Sequence, residues 1–330
     1  MLTRWRQYRI SYLERKQIRL SGRMKNNLIV ILGPTASGKT SLAVKLACDI
    51  DGEIISADSR QVYRGMDLGT GKDLTEYQVE GRFIPYHMID IIDPEDEFNL
   101  FQFQRRFVQC FKEIQEREKI AMLVGGTGLY LESVLLSYRL KEVPENQEMR
   151  GQLSHLGMED LVQLYLSMTG VMPHNKSDLT ERNRLLRAIE IAAHGRSNLD
   201  TAEQDVLRSL SPITIGVRWE RSELRARITE RLKSRLDAGL IDEVKALKDQ
   251  GITWERLDAF GLEYRYVSWY LQSRLTYEEM FGNLETKIHQ FAKRQETWFR
   301  RMESRGISIH WINGNDYGEI RNYIQGMPLI

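Results

Sequence analysis

The sequence has few cysteines, few prolines and no long apolar run. Cys48 and Cys110 are the only cysteines among 330 residues. Both fall within helical apolar patterns, so we expect buried free thiols rather than a disulfide or a zinc site. No uninterrupted apolar stretch approaches the roughly 20 residues that a membrane helix needs, and seven prolines with 28% charged residues argue against long disordered linkers. These absences predict a soluble globular protein of the reducing cytoplasm without a membrane partner.

A large excess of charge of either sign is also missing, because the formal net charge is only +1. Any surface that attracts nucleic acid must therefore be local rather than global. The charge is segregated along the chain. Residues 51–100 hold twelve acidic side chains against four basic ones, whereas residues 218–235 hold seven basic against three acidic.

The first 24 residues form a basic N-terminal segment that stands apart from the rest. Residues 1–23 contain seven Arg or Lys against one Glu. Three interpretations are an Arg-rich targeting segment, a basic arm for RNA and an extension upstream of a natural start at Met24. We favour the third, because a complete domain pattern begins directly after Met24.

A glycine-bracketed loop between a predicted strand and a predicted helix is the motif around which the chain is organised. It has the spacing G-x-x-x-x-G-K-T of a phosphate-binding loop. Backbone N–H groups and the helix N-terminus supply positive partial charge, Lys39 adds a full charge, and the Thr40 hydroxyl suits a phosphate-bound Mg²⁺. A glycine-rich turn without a ligand is the alternative. The predicted phosphate-binding residues are Gly33, Pro34, Thr35, Ala36, Ser37, Gly38, Lys39 and Thr40.

The order of strands and helices predicts an α/β fold, a phosphate-loop parallel sheet with flanking helices and a helical insertion. Apolar strand patterns occur at Leu28 to Leu32, Glu53 to Ser56, His87 to Ile91, Ile120 to Val124, Ile213 to Val217 and Ile307 to Ile312. Helical periodicity follows at Glu148 to Leu166, Thr180 to Ala193 and Ser222 to Gln250. We therefore expect a catalytic core at 25–144, a helical insertion at 145–211, and a return to the core at 212–330.

Hydrolysis of ATP or GTP is the ordinary use of such a loop, and it calls for an acidic residue that closes an apolar strand and helps to hold Mg²⁺. The fourth predicted strand ends at Val124 in Gly-Gly-Thr, without an acid. Only Asp58, after the second strand, supplies one. It can orient a metal ion, act as a general base toward an organic acceptor, or simply begin a turn. Because ligands gather at the carboxyl ends of parallel strands, the turns after strands two and four are expected to converge on the loop.

The residues after Asp58 resemble a known family, the tRNA dimethylallyltransferases, also called tRNA isopentenyltransferases. Asp58 to Lys72 looks like the family signature D-S-x-Q-x-Y-x-G-[ML]-D-x-G-T-x-K. Further resemblances follow in order at His87 to Asp90, Leu123 to Tyr130, Arg184 to Ala188 and Ala292 to Arg300. The resemblance spans nearly everything from Leu28 to Arg300. The paired-cysteine zinc finger of the eukaryotic members is missing, which implies an enzyme of the bacterial type.

The resemblance implies that the prenyl group of dimethylallyl diphosphate passes to N6 of adenosine 37 in tRNA, beside the anticodon, with release of diphosphate. It implies that the loop and Lys39 hold the diphosphate together with Mg²⁺ at Thr40. Thr35, Thr127 and Arg231 complete the expected catalytic group, and Asp58 takes the proton of the amine. We expect a monomer.

The resemblance also implies which residues lie against the anticodon stem-loop. They are Asp58, Ser59, Arg60, Gln61, Arg150, Asn183, Arg184, Leu185, Leu186, Arg187, Gly261 and Arg265. Without the family, Arg182, Arg184 and Arg187 share about one helical turn, and a solvated face is the alternative. The charged and aromatic stretch 293–301 is equally compatible with RNA contact and with aromatic residues packed in the core.

One departure from the family lies around Gly261, where an aromatic residue and then a basic residue commonly follow. Here Leu262 and Glu263 occupy those positions. Two other functions compete with prenyl transfer. A small-molecule kinase would place ATP in the loop and use Asp58 as its base, and an RNA-binding protein would carry an inactive loop.

Overall fold

The computed structural model describes residues 26–79, 81–140, 142–171, 181–194 and 201–329. The predicted N-terminal extension, residues 1–24, lies outside these ranges. The chain divides into two compact units, which are the smaller unit, Arg139–Gln204, and the larger unit on both sides of it in sequence.

The larger unit is built on a six-stranded sheet in the order β5-β2-β6-β1-β7-β8, in which every pair is parallel. The central strands are apolar and buried on both faces, as strands covered by helices on two sides must be. The sheet confirms the predicted α/β fold. The strands are β1 (Leu28–Leu32), β2 (Gly52–Ser56), β5 (Tyr86–His87), β6 (Ile120–Gly125), β7 (Pro212–Arg218) and β8 (His310–Asn313), and a separate hairpin pairs β3 (Gln78–Val79) with β4 (Arg82–Phe83).

Helices cover both faces of the sheet, and alternate side chains of β1 pack against helices on opposite faces. Ile29 and Ile31 pack toward Leu42 of the first helix, while Leu28 and Val30 pack toward Phe107 on the opposite face. A third apolar cluster lies among the helices that follow β7. The helices of this unit are α1 (Lys39–Ile50), α2 (Leu100–Glu116), α3 (Gly128–Leu135), α8 (Arg221–Asp237), α9 (Leu240–Asp249), α10 (Trp254–Phe260), α11 (Leu262–Leu271), α12 (Tyr277–Ser304) and α13 (Tyr317–Gln325).

The smaller unit contains α4 (Gln147–Gln152), α5 (Met158–Thr169) and α6 (Arg182–Ala193). Its core is small, with Leu161, Leu185 and Ile189 almost fully buried against one another. The unit runs from Arg139 to Gln204, against the predicted 145–211. The helix α7 (Thr201–Arg208) crosses its end, because Leu207 is buried in the core of the larger unit.

Several elements differ from the predicted bounds for local reasons. The helix predicted from Ser222 to Gln250 is two helices, because Gly239 between them has φ of 101°, in the left-handed region that interrupts a helix. The strand predicted at His87 to Ile91 stops early, since Met88 and Asp90 have positive φ angles of 66° and 55°. The helix α13 has no counterpart in the prediction.

Both cysteines are free thiols and partly buried. Within the described ranges, no helix is long and apolar enough to span a bilayer.

Candidate active site

A cleft of about 1030 Å³ opens in the larger unit where β1, β2 and β6 end. This is the edge at which parallel α/β sheets bind ligands. The predicted site residues that line it are Thr35, Ala36, Gly38, Lys39, Thr40, Asp58, Ser59, Arg60, Gln61, Thr127, Arg231, Gly261 and Arg265. Thirteen of the predicted site residues therefore lie on the wall of one cavity.

The phosphate-binding loop runs from β1 into α1, and its backbone is held in an unusual shape. Ala36 has φ of 61° and Gly38 has φ of 83°, both in the left-handed region. At Gly38 a Cβ would also lie 2.4 Å from Oδ1 of Asn315, so the Asn315 side chain would have to move. A Cβ on Gly33 would lie 2.6 Å from Oγ of the buried Ser37. This curvature allows successive N–H groups to surround an anion.

Three side chains from later in the sequence hold this loop. The Trp219 indole N–H donates to the Ser37 carbonyl at 2.9 Å, and Arg227 Nε donates to the Ala36 carbonyl at 2.9 Å. The Arg227 guanidinium also lies 4.3 Å from the centre of the Trp219 ring. Gln295 of α12 accepts from the Thr35 N–H at 2.8 Å and donates to the Gly126 carbonyl at 2.9 Å.

None of these three was predicted to be part of the site. Trp219 and Arg227 lie in the basic segment 218–235, whose excess of positive charge does not by itself indicate what these residues contact. Gln295 lies in a matched family motif, but no spacing rule connects it to residue 35.

Lys39 lies at the start of α1 and faces the cleft. Burial and the nearby Arg231 lower its pKa to about 8, although the Asp58 carboxylate acts in the opposite direction. Its ammonium group lies 3.4 Å from the Pro34 carbonyl. An anion bound beside the ammonium group would raise this pKa again.

The turns after β2 and β6 meet beside the loop, as expected from the strand order. The Ser59 N–H donates to Thr127 Oγ1 at 3.1 Å, and the Thr127 N–H donates to the Ala57 carbonyl at 3.2 Å. Oδ1 of Asp58 accepts the Arg60 N–H at 2.9 Å. Asp58 is partly exposed in the cleft, so its second oxygen is available to a substrate.

Gln61 is fixed from both sides. Its carbonyl oxygen accepts from the Ser56 hydroxyl at 2.9 Å, and its amide donates to the Gly71 carbonyl at 3.0 Å. It therefore connects the end of β2 to the loop at residues 67–73.

Arg231 of α8 reaches the cleft as a member of a charged group. Its guanidinium bonds the Asp73 carboxylate and lies 3.4 Å from the Gly71 carbonyl. Arg235 lies one turn further along α8, 3.8 Å from the same carboxylate. Burial alone would raise the pKa of Asp73, but the two arginines hold it below its ordinary value. Burial and Arg231 in turn lower the pKa of Arg235 to about 10.

Gly261 and Arg265 line the opposite side of the cleft. Gly261 joins α10 to α11 with φ of 144°, a conformation that side chains rarely adopt. Arg265 Nε donates to the Asp258 carbonyl at 3.0 Å. Burial raises the pKa of Glu263, which follows Gly261 where the family commonly has a basic residue.

Comparison with known proteins agrees with this architecture. A model of the IPP transferase family matches residues 61–302, and a model of isopentenyl transferases matches residues 26–86. The chain belongs to the IPP transferase family. The predicted membership of a bacterial type is confirmed.

Relatives share more than half of their residues with this family member. The tRNA dimethylallyltransferase 1 of Syntrophus aciditrophicus is 57% identical over 304 residues, which are 92% of this chain and 99% of the relative. The tRNA dimethylallyltransferase 2 of Syntrophotalea carbinolica is 55% identical over 88% of this chain and 95% of its own length.

Solved structures show the same fold. The tRNA isopentenylpyrophosphate transferase of Bacillus halodurans is 33% identical, with a TM-score of 0.65 over 92% of this chain and 96% of its own. A eukaryotic dimethylallyltransferase acting on tRNA is only 21% identical, with a TM-score of 0.72 over 92% of this chain and 81% of its own, and it supports the fold alone.

In the smaller unit of this IPP transferase, two predicted tRNA-binding arginines contact a buried carboxylate. Arg150 Nε lies 2.6 Å from Glu190, and Arg187 lies 3.0 Å from the same side chain, which is 1% exposed. Burial raises the pKa of Glu190, but hydrogen bonds from Arg150, the Asn146 N–H and Arg187 lower it below its ordinary value. Arg182 donates to three backbone carbonyls, at Leu153, Ser154 and Leu156.

The other predicted residues of α6 divide between core and surface. Leu185 and Leu186 are buried, at 0% and 6% exposure, and belong to the core of the smaller unit. Their side chains present no surface to an RNA. Asn183 and Arg184 are exposed, and Arg184 pairs with Glu181 at 3.1 Å.

The stretch 293–301 of α12 matches the core-packing alternative for Phe299, which is fully buried. Lys293, Arg294 and Arg300 are exposed. Arg301 lies 4.9 Å from the centre of the Trp298 ring. Lys293, Arg294 and Arg300 therefore face solvent, while Phe299 packs inward.

Proposed function

We propose that this IPP transferase moves the dimethylallyl group from dimethylallyl diphosphate to N6 of adenosine 37 in tRNA. The observation that carries the proposal is the single cleft in which Lys39 and the phosphate-binding loop face Asp58. One end of the cleft suits a diphosphate, and the other presents a carboxylate to a nucleobase. The names of its relatives as tRNA dimethylallyltransferases support the choice.

At the donor end, the backbone N–H groups of Ser37 to Thr40 and the charge of Lys39 bind the diphosphate. Arg231, Thr35 and Thr127 line the same cleft and add a cation and two hydroxyls to this binding. Negative charge grows on the diphosphate as the bond between C1 of the prenyl group and oxygen breaks. Groups that are already fixed around this charge lower the barrier, because they need not reorganise during the reaction.

The oxygen-bearing side chains in the cleft fit Mg²⁺, which prefers oxygen ligands and retains several waters. Thr40, at the first turn of α1, is the side chain that would hold it, with the diphosphate oxygens as further ligands. When bound, Mg²⁺ neutralises part of the charge on the leaving diphosphate. Among the residues that the structure describes, no cluster of three His, Cys, Asp or Glu side chains forms a metal cage.

At the acceptor end, Asp58 accepts a hydrogen bond from the exocyclic amine and takes its proton as the carbon–nitrogen bond forms. The bond from N6 to the prenyl C1 forms, the bond from C1 to diphosphate breaks, and the proton moves to Asp58. Strand β6 ends without the acidic residue that nucleotide hydrolysis calls for. This fits prenyl transfer, because water is a nucleophile that the cleft must exclude.

The acceptor base must leave the anticodon loop to enter the cleft, which costs less than opening a duplex. Asp58, Ser59, Arg60, Gln61, Gly261 and Arg265 line the cleft and contact this base and its neighbours. In the smaller unit, Asn183 and Arg184 offer exposed polar surface to the stem-loop. The predicted contacts at Arg150 and Arg187 remain part of the proposal, although both side chains also hold Glu190.

Incubation of the purified protein with prenyl-labelled dimethylallyl diphosphate, unmodified tRNA and Mg²⁺ tests the proposal. Label is expected in tRNA, with stoichiometric diphosphate and no requirement for ATP. If tRNA stays unlabelled while ATP drives phosphorylation of a small molecule, the cleft is that of a kinase.

A further inference from the structure

A carboxylate from α9 binds three consecutive backbone N–H groups beside the cleft. Glu243 Oε2 accepts from the N–H groups of Asp67 and Leu68 at 2.8 and 2.7 Å, and Oε1 accepts from that of Gly69 at 3.0 Å. Oε1 also accepts the Tyr264 hydroxyl at 2.7 Å. Consecutive N–H groups directed at one anion form a strong, charge-assisted site.

Tyr264 completes this arrangement from the side. Burial and the Glu243 carboxylate raise its pKa well above the ordinary value, so the phenol keeps the proton that it donates. The ring lies so close to Gly69 that a Cβ there would come within 2.5 Å of it. Glycine is therefore required at position 69, and Glu243 and Tyr264 hold the backbone from one side.

Lys72 holds the same loop from the other side. Its side chain is fully buried, and its ammonium group donates to the Tyr63 carbonyl at 2.8 Å, to Asp67 at 2.6 Å, and to Asp90. Three acceptors use all three of its N–H donors. The loop at residues 67–73 is thus fixed at its start by a carboxylate on its N–H groups and by an ammonium on its Asp67 side chain.

The loop at residues 67–73 contains the groups that contact Arg231. Gly71 and Asp73 both have positive φ, of 65° and 46°, and a residue such as Asp73 needs outside support to remain there. The Asp73 carboxylate and the Gly71 carbonyl are the groups that receive the Arg231 guanidinium.

We propose that Glu243 is a positioning residue, which fixes the loop at residues 67–73 and through it the guanidinium of Arg231 at the diphosphate end of the cleft. Glu243 is absent from the lining of the cleft, so it acts on the reaction only through the groups that it holds. This inference rests on the proposed function, in which Arg231 assists departure of the diphosphate.

A double-mutant cycle on kcat/KM for tRNA prenylation tests the inference. Glu243→Gln keeps the shape but replaces an acceptor oxygen with a donor, and we expect it to lower kcat/KM about tenfold. The double variant with Glu243→Gln and Arg231→Gln should lose less kcat/KM than the product of the two single fold-losses, by a factor of at least about three. Asp249→Asn, an exposed position on the same helix, is the matched control and should leave kcat/KM unchanged.

A normal kcat/KM in Glu243→Gln would overturn the inference. So would a double variant whose fold-loss in kcat/KM lies within about threefold of the product of the two single losses. Hydrogen exchange provides a second measurement on the unmodified chain, independent of activity and of whether the variant folds. The amides of Asp67, Leu68 and Gly69 should exchange at least about 100-fold more slowly than in an unstructured peptide. Exchange at the rate of an unstructured peptide would contradict the inference that Glu243 fixes this loop. If the unmodified enzyme transfers no prenyl group, the proposed function fails, and hydrogen exchange alone then decides whether Glu243 fixes the loop.

Discussion

Asp58 lines the cleft, and its Oδ1 accepts the Arg60 N–H at 2.9 Å. A carboxylate oriented by its own turn is suited to receive a proton in a fixed direction. Asp58→Asn should therefore keep the turn, because the amide oxygen still accepts the Arg60 N–H, while removing the base. We expect kcat to fall by roughly 10²- to 10⁴-fold, with binding of dimethylallyl diphosphate unchanged by calorimetry.

The control for this substitution is again Asp249→Asn. Turnover of Asp58→Asn within a few-fold of the unmodified enzyme would remove Asp58 from the role of base.

Lys39 makes the donor end of the cleft sensitive to pH. Its pKa is about 8, so the charge that attracts the diphosphate disappears as the pH rises through this value. We expect the affinity for dimethylallyl diphosphate to decrease from pH 7 to pH 9.5. In Lys39→Arg, whose charge does not titrate in this range, the affinity should stay flat. An affinity of the unmodified enzyme that does not change with pH would contradict a pKa of about 8 for Lys39.

The lowered pKa of Lys39 also affects stability, and here the effect of rising pH is favourable. Because the pKa is lower in the folded chain than the ordinary 10.5, the unfolded chain binds more protons between these two values. The contribution of Lys39 to the free energy of unfolding should therefore rise as the pH increases from about 8 to 10.5.

Among the elements, α6 combines exposed residues that are proposed to bind RNA with apolar residues that form the core of the smaller unit. Leu185 is fully buried with Leu161 and Ile189 in a core of few residues. Leu185→Ala should lower the free energy of unfolding of the smaller unit by about 2–5 kcal/mol. Urea unfolding followed by hydrogen exchange of residues 181–194 measures it. A stable variant with weakened tRNA binding would place Leu185 at the RNA.

Elements with a strong pattern could be predicted from the sequence, and β1 was predicted with its observed bounds because five consecutive apolar residues precede a glycine-bearing loop. The loop at residues 67–73 could not. Its shape depends on Glu243 and Tyr264, which lie more than 170 residues away in the chain. The short β5 depends on positive φ at Met88 and Asp90, which local propensity does not indicate for methionine.

The site divides in the same way. Lys39, Thr40 and Asp58 could be identified because their motifs are local in sequence. Trp219, Arg227 and Gln295 bond the phosphate-binding loop across long sequence separations, and no local pattern specifies those pairs.

At the scale of the whole molecule, a net charge of +1 leaves tRNA affinity to local groups. Arg184 is half exposed and pairs with the exposed Glu181, whereas Arg182 donates to three carbonyls of its own unit. Arg184→Gln should reduce the slope of log Kd against log salt concentration by about one, without loss of stability. Arg182→Gln should lower stability instead. An unchanged slope for Arg184→Gln would mean that this face of α6 is only solvated.

The central claim is that one cleft joins a prenyl diphosphate to a particular adenosine of tRNA. Nucleoside mass spectrometry tests it most directly, on an unmodified tRNA incubated with the enzyme, dimethylallyl diphosphate and Mg²⁺ and then cut into mapped fragments. The account predicts N6-isopentenyladenosine at position 37 alone, and its loss in Asp58→Asn. Unmodified adenosine at position 37, or prenylation spread over other adenosines, would contradict it.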